Sequence, residues 1–156
     1  MATHELSISP PSAEELDGYF HFRWQQLRAP WGKEKGSERD EFDTPGQPSY
    51  QLCARFGSEL IGVARIHEAS PGHWQIRYMA VAPNQQGGGI GSRLLRELES
   101  HAWARSAEKI HLNAREEATV FYQKNAYQIT GPGPLLWGKI PHWRMEKSAP
   151  ASQEIV

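Results

Sequence analysis

The residues best placed to do chemistry in this chain lie between Met79 and Ser92. Here Met79-Ala80-Val81-Ala82-Pro83-Asn84-Gln85-Gln86 runs into Gly87-Gly88-Gly89-Ile90-Gly91-Ser92. Four glycines in five positions are costly to order, so the segment implies close approach of backbone to a bound group. A phosphate is the natural occupant. Glycines let successive N–H groups converge on one anion, and Ile90, Leu94, Leu95, Leu98 and Ala102 recur behind them at helical spacing. That spacing predicts a helix whose positive dipole end adds to the same spot. Two other phosphate-binding patterns fail. A P-loop needs Lys and then Ser/Thr after its last glycine, whereas Ser92-Arg93 follows Gly91. The dinucleotide pattern GxGxxG meets Ser92 at its sixth place, and the strand ahead of it belongs to a meander.

The run from Met79 to Ser92 resembles the acetyl-CoA signature of the GNAT N-acetyltransferase family: an apolar strand end, Val-x-Pro, Arg/Gln-x-x-Gly-x-Gly/Ala, then a leucine-rich helix. Gln86, Gly89 and Gly91 occupy its defining places. The resemblance implies that the backbone N–H groups of residues 87 to 92 (Gly87, Gly88, Gly89, Ile90, Gly91, Ser92) hold the coenzyme A pyrophosphate. It implies that Met79, Ala80 and Val81 pair with the pantetheine amides as a strand pairs with its neighbour. Downstream, Ile110-His111-Leu112-Asn113-Ala114-Arg115 and then Ala118-x-x-Phe121-Tyr122-x-Lys124-x-Ala126-Tyr127 are similar to the family's strand and following helix. By that match Tyr122 protonates the departing thiolate, and Asn113 and Lys124 join the coenzyme site. Ala126 departs from the family's usual glycine. A narrower likeness, to the acetyltransferase half of two-domain proteobacterial GNAT–thioesterase proteins, rests on Phe22-Arg23-Trp24, Leu27-Arg28-x-Pro30, Lys35–Asp40 and Ile76–Val81. It implies nothing about thioesterase activity here.

Thioester aminolysis also needs a base. Many family members carry a Glu on the strand entering the glycine turn, but this strand reads Gln75-Ile76-Arg77-Tyr78. The candidates are then His67 and Glu68 at the end of the preceding strand, with His favoured by its reference pKa of ~6.5. A water chain, or an acceptor arriving neutral, is the alternative. Candidate acceptor-binding residues are Arg23, Trp24, Arg28, Trp31 and Arg39. The arginines mix with Glu38, Asp40 and Glu41, which reads either as a solvated charge network or as a site for an acceptor bearing carboxylate or phosphate.

The elements that must position these groups are legible from pattern. Leu6 and Ile8 mark a short strand. Ser12 and Glu15 form a capping box ahead of a helix with Leu16, Phe20, Trp24 and Leu27 at helical spacing, ended by Ala29-Pro30-Trp31-Gly32. Residues 32–49 form a long polar connection of the kind used for binding. Tyr50–Phe56, Leu60–His67 and Trp74–Val81 alternate as a three-strand meander with turns at Gly57-Ser58 and Ala69–Gly72. After the glycine turn and its helix come a strand at Ile110–Ala114, a short helix at Glu116–Lys124 and a strand pair at Tyr127–Thr130 and Ile140–Met145. The expected fold is α+β, the GNAT fold, with a mixed sheet of about six to seven strands flanked by helices. The expectation is one domain over residues 1–147 with a disordered tail at 148–156.

Composition narrows the partners. In 156 residues, 17 basic and 18 acidic side chains leave a net charge of −1, which argues against a nucleic acid or anionic membrane as partner. The single cysteine, Cys53, sits in an apolar alternation and reads as a buried strand residue. The seven histidines show no metal-ligand spacing, so no metal is expected. The first sixteen residues have neither a basic start nor an apolar run, and a cytoplasmic location is expected. The whole predicts an acetyl-CoA (coenzyme A)-dependent transfer to the amine of a small molecule or peptide through a ternary complex, with a homodimer expected at family level. The alternative is a non-catalytic acyl-CoA-binding sensor or partner module.

Overall fold

The computed structural model describes residues 5–151. In chain order its elements are β1 (Leu6–Ser9), α1 (Leu16–Leu27), β2 (Ser49–Phe56), β3 (Glu59–Ser70), β4 (His73–Val81), α2 (Ile90–Trp103), β5 (Lys109–Arg115), α3 (Thr119–Lys124), β6 (Gln128–Pro132) and β7 (His142–Ser148). The strands hydrogen-bond in the order β1-β2-β3-β4-β5-β7-β6, so β7 inserts between β5 and β6. β4 and β5 run parallel, while the β1–β2, β2–β3, β5–β7 and β6–β7 pairs are antiparallel. The α+β class and the mixed seven-strand sheet agree with expectation.

The chain divides into two compact units: residues up to His67 with Ile76–His101, and Glu68–Gln75 with the chain from Ala102 onwards. In the first, Ser12 and Glu15 close the expected capping box around a 3-10 turn at Ala13–Glu15 that feeds α1. The buried face of α1 differs from the sequence reading. Tyr19, Phe22 and Arg23 are buried while Leu16 is 38% exposed. The reason is polar: the Tyr19 hydroxyl donates to Gln51 Oε1 and Ala64 O and accepts from Arg23, so hydrogen bonds and not apolar spacing choose the inward face. Tyr19, Phe22, Cys53 and Val63 form a core cluster against which Phe20, Leu60, Ala80 and Ala82 pack. Ile90, Leu94, Leu95, Leu98 and Ala102 of α2 are all buried as expected. Gly62 of β3 permits the close approach of α2, since a Cβ there would meet Leu94 Cδ1 at 3.1 Å.

β3 runs three residues beyond its expected end, to Ser70, and the turn shrinks to Pro71-Gly72, where Gly72 takes φ +77°. His67 and Glu68 therefore both lie inside β3 and not at its end. In the second unit, β4 pairs with β5 from His73↔Lys109 to Gln75↔His111. β7 begins at His142, because the chain before Pro141 is tied into a loop by a Leu136↔Ile140 bridge. Ser148 still pairs with Lys109, and the Ala149 N–H bonds Glu108 O at 2.8 Å, so order continues past the expected tail boundary. Residues 152–156 of that tail lie outside the described residues. Among the described residues, no helix is long and apolar enough to cross a membrane.

Candidate functional site

Pro83 starts a 3-10 turn (Pro83–Gln85) that ends β4, and the Gln86 side-chain amide reaches back to Val81 O at 3.0 Å. Gly87 and Gly89 then adopt φ +87° and +84°, a region that L side chains enter only at a cost. Nothing lies within 4 Å of the position a Cβ would take on either glycine. The conformation, not crowding, requires glycine, and the outer face of the turn is open to a ligand. Arg93 N–H closes the first bond of α2 onto Gly89 O at 3.0 Å. The amides just ahead of it lie at the positive end of a 14-residue helix, so charge and shape both fit a pyrophosphate.

In the second unit, Tyr122 lies on α3, half-buried, with Phe121 and Tyr127 edge-on at 5.0 and 5.9 Å. Burial pushes its phenol up to about 12, so it is protonated at neutral pH. α3 ends in a Schellman motif: Tyr127 N–H bonds Tyr122 O and Ala126 N–H bonds Gln123 O, both at 3.0 Å. Ala126 stands at its left-handed position with φ +72°, which explains what a glycine would do there. Asn113, on β5 opposite Arg144, presents Oδ1 3.0 Å from where a Gly133 Cβ would lie. Lys124 is exposed in the last turn of α3.

The candidate acceptor residues separate by environment. Trp31 is 44% exposed. Arg39 is exposed and lays its guanidinium 3.9 Å over the Phe20 ring. Trp24 is half-buried and donates through Nε1 to Lys33 O. Arg28 is buried and bonds Ser37 O and Leu27 O. Arg23 is wholly buried. Its Nη1 donates to Asp43 Oδ2 (2.9 Å) and Glu38 O (3.1 Å), and its Nη2 to Gln51 Oε1 (2.9 Å) and Tyr19 Oη (3.3 Å). Arg23 and Arg28 thus strap the 32–49 connection down instead of reaching outward, and the solvated-network reading is corrected for them.

Sequence reasoning missed the centre of this network. Arg65, wholly buried in β3, holds Asp40 with two bonds of 2.6 and 2.9 Å and Asp43 at 3.1 Å. Arg77 adds a 2.8 Å bond to Asp40. Burial alone would raise the Asp40 carboxyl, but the Arg65 hydrogen bonds and charge outweigh it and hold the group at about 2. Asp43 is likewise lowered, the Arg23 charge overcoming its burial. The available signal was Arg65 inside Gly62-Val63-Ala64-Arg65-Ile66-His67: a buried strand arginine demands carboxylate partners, and Asp40 and Asp43 supply them.

Two consequences bear on chemistry. Arg65 Nη2 lies 3.1 Å from His67 Nδ1. Arginine only donates, so Nδ1 accepts and Nε2 carries the hydrogen of the neutral ring. His67 is buried and stacked on Phe42 at 3.9 Å. Glu68, one residue on, is half-buried and faces the Gly72 N–H at 3.5 Å. Second, Tyr78 in β4 takes φ +64°, which costs a bulky residue about 1–2 kcal/mol. The guanidiniums of Arg23, Arg77, Arg65 and Arg28 stand 4.3, 4.5, 5.0 and 5.4 Å from its ring centre. A cation–π contact with a buried guanidinium such as that of Arg23 is worth about 2 kcal/mol, comparable to that strain. Among the described residues no group of three His, Cys, Asp or Glu could hold a metal ion.

The profile described as the acetyltransferase (GNAT) family matches residues 16–127. Solved structures share the fold at low identity. An aminoglycoside 6'-N-acetyltransferase complexed with coenzyme A superposes with TM-score 0.77 at 19% identity, covering 91% of this chain and 96% of that one. Escherichia coli ElaA gives 0.77 at 16%, covering 93% and 99%. The ribosomal-protein-S18-alanine N-acetyltransferase of Escherichia coli gives 0.75 at 16%, covering 97% and 99%.

Proposed function

Because this chain belongs to the GNAT acetyltransferase family, we propose that it moves an acetyl group from acetyl-CoA to the amine of a small molecule or peptide, directly, within a ternary complex. The observation that carries this reading is the glycine turn: two left-handed glycines with open outer faces lead straight into the N-terminus of α2. The amides of residues 87 to 92 hold the pyrophosphate, helped by Gln86, which braces the turn on Val81. The backbone of Met79, Ala80 and Val81 pairs with the pantetheine arm, and the N–H near Val81 polarises the carbonyl. Asn113 and Lys124 complete the coenzyme contacts. The co-substrate supplies the acetyl group as a thioester. The acceptor meets the exposed side of the first unit at Trp31 and Arg39, while Arg23, Trp24 and Arg28 hold the 32–49 connection in place.

Tyr122 acts at the departing sulfur. Its phenol, raised by burial, stays protonated at neutral pH, so it can donate a hydrogen bond to the developing thiolate and protonate it as it departs. The balance is closed by the proton that the amine loses as the amide forms. Of the two candidate bases, Glu68 is the better. The Nδ1 lone pair of His67 is engaged by Arg65 and its Nε2 already carries hydrogen. The reaction takes place in the cytoplasm, as the sequence leads one to expect.

The experiment is thiol release from acetyl-CoA against a panel of amines, with wild type and Tyr122→Phe. A hydrogen bond to a charged group is worth about 1.5–3 kcal/mol, so the variant should lose about 10- to 150-fold in kcat with acetyl-CoA affinity nearly unchanged. A large loss of affinity with kcat intact would refute the assignment. Tight coenzyme binding with no thiol release from any amine would replace the enzyme reading with the binding-module one.

A further inference from the structure

Among the described residues, the side-chain Nε atoms of Arg23 and Arg65 are buried without any hydrogen-bond partner, although both guanidiniums are otherwise tied to Asp43, Asp40 and Gln51. Buried orphan donors are rare and call for an explanation. Both guanidiniums are centred within 5.0 Å of one aromatic ring, that of Tyr78. The Tyr78 ring is thus an aromatic contact that the two cations share. The same residue is the one in β4 with a left-handed backbone, and it stands immediately before Met79. Its hydroxyl makes no hydrogen bond among the described residues, so what the network grips is the ring.

We propose that Tyr78 is a positioning residue. The Arg23–Arg65 cluster pins its ring, the pinned ring holds the left-handed kink, and the kink sets the direction in which the Met79–Val81 backbone presents its amides. The proposal rests on the reading that Met79–Val81 receives the pantetheine arm. A residue in the left-handed region reverses the alternation of the strand it interrupts, as a bulge does. Relaxing Tyr78 to extended geometry would turn the following N–H and carbonyl groups away from their present directions. Arg65 and Arg23 are themselves fixed by Asp40 and Asp43, so the 32–49 connection acts on the coenzyme site through the ring without touching a ligand.

The test separates kink from packing by measuring coenzyme A affinity by calorimetry, and melting temperature, for wild type and three variants. Tyr78→Phe keeps the ring and should bind within about twofold of wild type. Tyr78→Leu loses the ring and resists the left-handed region, so binding should weaken by about tenfold. Tyr78→Gly loses the ring but enters that region freely; it should bind clearly better than Tyr78→Leu even though it melts no higher. Equal binding by wild type and Tyr78→Leu overturns the proposal. So does a Tyr78→Gly protein that binds no better than Tyr78→Leu, since affinity would then follow packing and not backbone conformation. Should Tyr78→Leu fail to fold, Tyr78→Asn and Tyr78→Val make the same comparison, because Asn tolerates the left-handed region and Val does not. A wild-type protein that binds no coenzyme A defeats the underlying reading instead, which keeps the two failures distinct.

Discussion

Replacing Ala126 by glycine isolates one backbone angle beneath the helix that carries Tyr122. Ala126 is exposed and sits at φ +72°, so its methyl group contributes little packing while straining the chain. The left-handed region costs an L residue about 1–2 kcal/mol. Glycine removes that cost but gives the unfolded chain extra freedom worth about 0.4–1 kcal/mol. The difference leaves Ala126→Gly more stable by about 0.5–1 kcal/mol, and for a chain of this size each kcal/mol moves the melting temperature by about 2–4 °C. Both hydrogen bonds of the motif, Tyr127 N–H to Tyr122 O and Ala126 N–H to Gln123 O, are main-chain bonds and survive the change. Paired thermal melts and urea titrations should therefore show a rise of about 1–4 °C with an unchanged denaturant slope. A fall in melting temperature would refute the reasoning, for it would mean that the methyl group packs or that the residue is not left-handed in solution.

Gly89→Glu should abolish coenzyme A binding while the protein stays folded, because a bulky, negatively charged side chain would enter a φ +84° position facing the pyrophosphate; retained binding by calorimetry would remove the glycine turn from the site. Acid should destabilise the protein in a defined window. Asp40 at about 2 lies below its ordinary 3.8, and Glu15 and Glu146 at about 2 lie below 4.5. A carboxyl lowered on folding stabilises fully above its unfolded value and loses that contribution as pH falls through its folded value. Half-buried His111 is held down to about 4 from 6.5, chiefly by desolvation, and the unfolded ring charges first. Stability measured by urea titration should thus begin to fall below about pH 6.5 and fall further between about pH 4 and 2; level stability from about pH 7 to 4 would contradict this. Asp40→Asn should flatten part of that fall.

The strands, the α2 face and the glycine turn were legible because each follows a local rule: alternation in Tyr50–Phe56, helical spacing from Ile90 to Ala102, and glycine clustering where the backbone turns left-handed. The expected strand boundaries moved by one to three residues where tertiary pairing extended them, as at Ser70 and Ser148. What escaped was long-range. Arg65 and Asp40 are 25 residues apart yet make the shortest contact of the buried network, 2.6 Å, and spacing along the chain carries no trace of it. The inward face of α1 escaped for the same reason, since Arg23 turns inward to partners at Asp43 and Gln51. Ala126 was visible only as a departure from a pattern, and its φ gives the departure its meaning. Tyr78 looked like an ordinary strand aromatic, because a left-handed residue leaves no mark in the identity of a tyrosine.

Calorimetric titration of the ligand-stripped protein tests the glycine turn as a coenzyme A site most directly. Acetyl-CoA and coenzyme A should bind with a dissociation constant on the order of micromolar, with ATP as the control binding far more weakly because it has no pantetheine arm for Met79–Val81. Absence of heat with both coenzyme A species, in a sample that melts cooperatively, would contradict the assignment and with it the acetyltransferase reading.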